Sequence, residues 1–163
     1  LEVLEADGIG ADLEDVVGRA IAVKAAVVGR DFTEQGERAH LNYGHTIGHA
    51  VETSTGRSHG DSVAIGMVAA GAASEHALGF AGNERQREVL GRIGLPIDAP
   101  DAKRDRVRAF MALDKKRDSG GLRFVLLEDF ERPVVRGVDD ATVAAALDAI
   151  GLASTPPPPG GTT

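Results

Sequence analysis

"DSVAIGMVAAGAASEHALG", residues 61–79, decides the fold. After Asp61 it carries no charged side chain until Glu75, and most of what lies between is Ala, Val, Ile or Gly. A helix with so little polar surface is one enclosed on most sides. Glycines inside it, at 66 and 71, weaken an isolated helix by ~1 kcal/mol each relative to Ala. Close helix–helix contact is the compensation this pattern predicts.

The neighbouring segments supply the partners. Upstream, "HLNYGHTIGHA" (40–50) predicts a helix that begins near 41–44 and runs to about 52 or 53, where the Ser/Thr/Gly loop "TSTGRSHG" ends it. Before it, "RDFTEQGER" (30–38) reads as a polar loop. In "DLEDVVGRAIAVKAAVVG" (12–29), Leu13, Val16, Val17, Ala20 and Ile21 recur at helical spacing, with Asp12 as N-cap and acidic residues in the first turn. Downstream, Asn83 is expected to cap "ERQREVLGRIG", which stops at Gly94 before Leu95–Pro96. A further helix spans "DAKRDRVRAFMALDKK" (101–116), with Val107, Phe110, Met111 and Leu113 as its apolar side. Two short runs of strand formers, "LRFVLL" and "RPVVRG", predict a hairpin, and "DDATVAAALDAIG" (139–151) a last helix. The expected fold is mainly α, multi-helical with a small β-hairpin: one helical domain over 1–152, then a Pro/Gly/Thr tail over 153–163 that cannot pack.

Composition narrows the function. A formal charge of −7 argues against a nucleic-acid binder, because neutralising phosphates needs a basic face. No stretch approaches the ~20 apolar residues of a membrane span. The chain has no cysteine, so any metal site must use imidazole, carboxylate and water. The opening "LEVLEADGIGADLEDV" is acidic and amphipathic, unlike a secretory signal. It lacks an initiator Met and starts in what reads as mid-helix, so a piece of a longer protein is expected.

His40, His45 and His49 fall within ten residues, and His59 follows in "RSHGD". On a helix, His45 and His49 share a face, a common way to grip zinc, and His59 can return across a turn as a third ligand. The bland alternative, ordinary surface or half-buried histidines, weakens when three sit in one short segment among Gly44, Gly48 and Gly60. "HTIGH" has the outline of the H-E-x-x-H protease signature, but position 46 is Thr, so the general base of that chemistry is missing. Other residues fit a small anionic substrate. Arg38 and Asn42 lie one turn apart, and Asn42 precedes His45 by three, so all can face one cavity. Lys24 sits in "AVKAAVV", where its ammonium must reach solvent or an anion. Lys115 and Lys116 stand together at a helix end, where a solvated dipole partner is the plainer reading.

Taken together, these segments resemble the C-terminal, metal- and substrate-binding domain of the 3-dehydroquinate synthase family, within the sugar-phosphate cyclase superfamily. The resemblance rests on Lys24 with its following "VV", on "LNYGHTIGHAVE" preceded by Arg38, on "HGDSVAIGM" (59–67) and on "MALDKK…LRFVLL" (111–127). It spans nearly the whole chain except the tail. It implies a lyase of the shikimate pathway, and so of aromatic amino acid biosynthesis, that uses NAD and a divalent metal, zinc or cobalt. Such an enzyme converts 3-deoxy-arabino-heptulosonate 7-phosphate to 3-dehydroquinate and phosphate. A transient ring ketone acidifies the neighbouring C–H and eases phosphate loss. The resemblance also implies a cytoplasmic homodimer with a sugar-phosphate substrate, and no nucleic-acid or membrane partner.

Position by position, the resemblance implies that His45 and His59 are metal ligands. His49 is an active-site histidine for hydrogen bonding or proton transfer. Lys24, Arg38 and Asn42 hold substrate, as does one of Lys115 and Lys116. The family's third ligand, a Glu in an "AE-x-x-K" segment, and its NAD-binding domain lie before Leu1, so this chain alone is expected to be inactive. The His45-to-His59 spacing is slightly shorter than the family norm, and Asp61 and Ser62 replace the usual Glu or Gln and Ala. Two alternatives stay open: a related cyclase such as an aminodehydroquinate synthase, and a non-catalytic metal-binding helical module. Metal binding alone would not need Lys24, Arg38, Asn42 and His49.

Overall fold

The computed structural model describes residues 2–10, 12–32, 36–117 and 122–152, with backbone only at 9 and 114–117. In chain order the elements are α1 (Glu2–Asp7), α2 (Leu13–Arg30), a 3-10 helix (Glu37–Asn42), α3 (His45–Thr55), α4 (His59–Leu78), α5 (Asn83–Arg92), α6 (Arg104–Arg117), β1 (Arg123–Asp129), β2 (Arg132–Gly137) and α7 (Asp140–Ala149). The mainly helical class and the single hairpin agree with the sequence reading. The expected tail, 153–163, lies outside the described residues.

At the centre is α4. Ser58 caps its start by accepting from the Asp61 N–H, and Gly79, with φ 74°, ends it in the left-handed conformation. Its buried residues run all round the helix, from Ser62, Ile65 and Val68 to Ala69, Ala73 and Ser74. It touches α3, α5, α7 and β1. The enclosed helix read from residues 61–79 is therefore present.

Its tightest neighbour is α3. A Cβ placed on Gly66 would stand 2.0 Å from the Gly44 carbonyl oxygen and 2.7 Å from the Gly48 nitrogen. One on Gly48 would meet the Ser62 carbonyl oxygen at 3.0 Å. Gly44 itself has φ 79°, and a Cβ there would lie 2.7 Å from the Met67 nitrogen. The two helices thus touch backbone to backbone, and no side chain fits between them. The glycine that weakens α4 in isolation is what permits the crossing.

The remaining elements close the core. Val107 and Met111 of α6 are buried, whereas Leu113 is 57% exposed. Leu113 follows Met111 by two residues, which puts it on the opposite side of the helix, so the expected apolar face is narrower. Phe124 to Leu127 of β1 are buried, and the hairpin pairs Val125 with Val135 and Leu126 with Val134. The buried Ser74 hydroxyl donates to the Ala70 carbonyl at 2.6 Å and accepts from the Leu127 N–H at 2.9 Å, which ties β1 to α4. Asp139 caps α7, whose Val143, Ala146 and Leu147 join the core with Ile150 and Leu152. Asn83 is not the cap of α5. Gly82 holds that position, and the Asn83 amide instead donates to Glu75 at 2.7 Å.

Asp12 caps α2 as read, but the helix buries none of its residues. Leu13, Val17 and Ile21 are 64%, 52% and 62% exposed. Apolar periodicity identified a helix correctly, yet the described residues supply no element to cover the stripe. No helix among them is long and apolar enough to cross a membrane.

Two stability predictions follow from this packing. Ala normally strengthens a helix relative to Gly, but Gly66→Ala should reverse that sign and cost about 1–3 kcal/mol or more through overpacking. Urea unfolding checks it, and an unchanged or raised midpoint would show that α3 and α4 are not in backbone contact. Similarly, Ile65→Ala should cost about 2–5 kcal/mol, while Ile21→Ala on the exposed stripe should stay within about 0.5 kcal/mol.

Candidate metal centre

The α3–α4 crossing determines where three imidazoles stand. His45 is the first residue of α3, His49 follows one turn later, and His59 is the first residue of α4. Only residues 56–58 separate the helices. Gly56, at φ 76°, reverses the chain, and Arg57 then grips Asp101 with two nitrogens at 3.2 and 2.5 Å. That pairing raises the Arg57 pKa and lowers that of Asp101, the hydrogen bond between them being the main cause.

The ring centroids are 5.4 Å (His45–His49), 5.5 Å (His45–His59) and 5.6 Å (His49–His59) apart. One nitrogen from each ring lies within 4.8 Å of the others. Zinc held tetrahedrally at ~2.0–2.1 Å wants nitrogens about 3.4 Å apart. Small rotamer shifts, closing the widest gap by at most about 1.4 Å, meet that. His45 is half-buried and the other two are exposed, so the cluster opens to solvent. The donor set therefore fits a borderline divalent ion with open positions.

Two of the rings are already held from behind. His45 Nδ1 lies 3.2 Å from the Tyr43 carbonyl oxygen, and His59 Nδ1 lies 2.9 Å from Glu52 Oε2. Such contacts leave Nε2 as the nitrogen with a free lone pair. Among the described residues, no comparable partner stands at either nitrogen of His49. Tyr43 is anchored in turn: its hydroxyl donates to Gln86 Oε1 at 2.9 Å, and the Gln86 amide donates to the Met67 carbonyl at 2.7 Å. Burial raises the Tyr43 pKa against the opposing pull of Gln86, so the phenol stays neutral. Sequence reasoning passed over Tyr43, Glu52 and Gln86. Glu52 alone had a signal there, three residues beyond His49 and inside the quoted motif.

The substrate candidates are more scattered. Lys24 is exposed on α2, so its ammonium reaches solvent without cost. Arg38 is half-buried; its guanidinium donates to the Phe32 carbonyl at 3.0 Å and its N–H to Asp31 at 3.0 Å. Asn42 is exposed at the end of the 3-10 helix. The reading that put Arg38 and Asn42 one turn apart assumed an α-helix, and a 3-10 helix forms there instead. A 3-10 helix has three residues per turn, and the chain then bends at Tyr43 and Gly44 before α3 begins. Lys115 and Lys116 fall in the last turns of α6, and their side chains lie outside the description. Ser62 carries a buried hydroxyl with no hydrogen-bond partner among the described residues. A cavity of about 450 Å³ lies elsewhere, between α1, α2, Arg85 and Phe130, with no histidine in its wall.

Comparison with known proteins places this geometry. The sequence profile described as 3-dehydroquinate synthase C-terminal matches residues 3–117. The 3-dehydroquinate synthase of Bordetella pertussis is 42% identical over 137 residues, covering 81% of this chain and 38% of that protein. That of Leifsonia xyli subsp. xyli is 40% identical over 154 residues, covering 88% and 42%. That of Thermobifida fusca is 41% identical over 150 residues, covering 86% and 40%. The chain thus spans about two-fifths of the length of these relatives. Among solved structures, 2-deoxy-scyllo-inosose synthase complexed with carbaglucose-6-phosphate, NAD+ and Co2+ superposes with a TM-score of 0.65 at 26% identity, covering 76% of this chain and 38% of that one. The profile's span encloses all three imidazoles and the crossing that brings them together, and the chain belongs to the 3-dehydroquinate synthase family, in the part that forms its C-terminal domain.

Proposed function

We propose that this chain supplies the metal- and substrate-binding half of a 3-dehydroquinate synthase, acting on 3-deoxy-D-arabino-heptulosonate 7-phosphate. The observation that carries the reading is the imidazole trio, with its three nitrogens within 4.8 Å, on the family's own scaffold. Identities of 40–42% to curated 3-dehydroquinate synthases, against 26% to the inosose synthase, favour this substrate over that of a related cyclase. Zinc or cobalt, NAD, a cytoplasmic setting and a homodimeric enzyme belong to the same proposal. No strand followed by a Gly-rich phosphate loop occurs in the sequence, so NAD falls to the share of the enzyme that this chain does not span.

In this reading His45 and His59 hold the metal through Nε2. A divalent ion held there would supply Lewis-acid polarisation of a substrate oxygen. His49 keeps both nitrogens for the substrate and moves a proton at an oxygen beside the cluster. Arg38 presents a planar fork to an anionic group. Lys24, Asn42 and one of Lys115 and Lys116 complete the hold on carboxylate, hydroxyl and phosphate. Three imidazoles beside solvent are poor at binding an anion by themselves, which is why cations must surround them.

Cobalt titration followed by visible absorption separates the histidine roles. His45→Ala should abolish binding, while His49→Ala should leave the affinity within a few-fold. The reverse pattern would exchange their roles.

The function itself is tested with a chimera in which this chain replaces the matching segment of the Thermobifida fusca enzyme. With NAD and zinc, the chimera should release phosphate from the heptulosonate phosphate, and the 163-residue chain alone should not. A chimera that folds and binds metal yet releases none would sink the reading. So would turnover by the isolated chain, which would require a cofactor site not identified in it.

A further inference from the structure

We infer that Glu52 is a positioning residue, fixing the His59 imidazole with Nε2 turned toward the metal; this rests on the metal reading of the trio. Glu52 sits in the last turns of α3, three residues after His49, and its Oε2 reaches across the helix junction to His59 Nδ1 at 2.9 Å. An ionised carboxylate only accepts hydrogen bonds, so Nδ1 must carry the proton and Nε2 the lone pair. Free imidazole has no such constraint and exchanges its tautomers. The contact therefore holds the ring in the form that ligates through Nε2.

The position of His59 makes this hold necessary. It is the first residue of α4 and 56% exposed at the side chain. His45 solves the same problem differently, through the Tyr43 carbonyl at 3.2 Å. Two imidazoles thus have their outer nitrogens fixed by acceptors that are not in the cluster. The Arg57–Asp101 pair provides an internal control: it braces the same junction, at 2.5 Å, without touching an imidazole.

The test uses the chimera with the Thermobifida fusca enzyme, read metal-free and cobalt-loaded separately. Long-range nitrogen-15 NMR at a pH where histidine is neutral should show His59 of the metal-free chimera as the Nδ1–H form. In Glu52→Ala that preference should be lost, and the cobalt Kd should rise about 10–100-fold. Glu52→Gln, whose amide oxygen still accepts, should restore the tautomer and part of the affinity. Asp101→Asn should change neither. An Nε2–H tautomer in the unmodified chimera, or Glu52→Ala with unchanged tautomer and Kd, overturns the role of Glu52 alone. A fixed Nδ1–H tautomer with no cobalt binding by the unmodified chimera overturns the metal reading instead, and the positioning role with it.

Discussion

The crossing of α3 over α4 is a contact between backbones, and the site depends on it. Gly44, Gly48 and Gly66 leave no room for a Cβ between the two helices. Because α3 starts with His45 and α4 with His59, that closeness converts a sequence separation of fourteen residues into ring centroids 5.5 Å apart. A wider crossing, at the 8–10 Å usual between packed helices, would have to be spanned by longer side chains. Imidazole is short and nearly rigid. It can join a ligand set only where the backbone brings it close.

This explains why the three-residue turn matters as much as the glycines. With only Gly56, Arg57 and Ser58 between the helices, the chain must reverse at once, and a left-handed glycine does it. Ser58 then caps α4, so His59 leaves the helix at its N-terminal end, where side chains point back over the preceding turn. Arg57 is held to Asp101 by two nitrogens, which removes the freedom the turn would otherwise have.

How much of this the sequence revealed depends on the kind of information each feature needs. The enclosed α4 was legible because its composition leaves no polar face, and the hairpin because strand formers cluster in two short runs. His45 and His49 were legible through helical spacing. Tyr43 and Gln86 were not, since their hydrogen bond joins residues 43 apart in sequence and no local pattern encodes it. The α2 stripe shows the opposite failure. Its periodicity is as clear as that of any buried helix, but periodicity reports which face is apolar, not whether something covers it. Only the helix type around Arg38 and Asn42 differs from the reading: four residues make one turn of an α-helix, not of the 3-10 helix that forms there.

The site is consequently built from two kinds of scaffold. The histidines stand on α3 and α4, whose inner faces include Ile47, Val51, Ile65 and Val68, each at most 2% exposed. Lys24 and Arg38 stand on α2 and the segment after it, where nothing of α2 is buried and Asp31 organises the turn through the Gly36 and Arg38 N–H groups. Metal ligation tolerates errors of only a few tenths of an ångström, so ligands belong on the part whose position packing enforces. Anion recognition by long cationic side chains tolerates more, because Lys and Arg adjust through several rotatable bonds. On this view, the exposure of α2 is the structural counterpart of the adaptable half of the site, and the glycine crossing is the counterpart of the half that must not move.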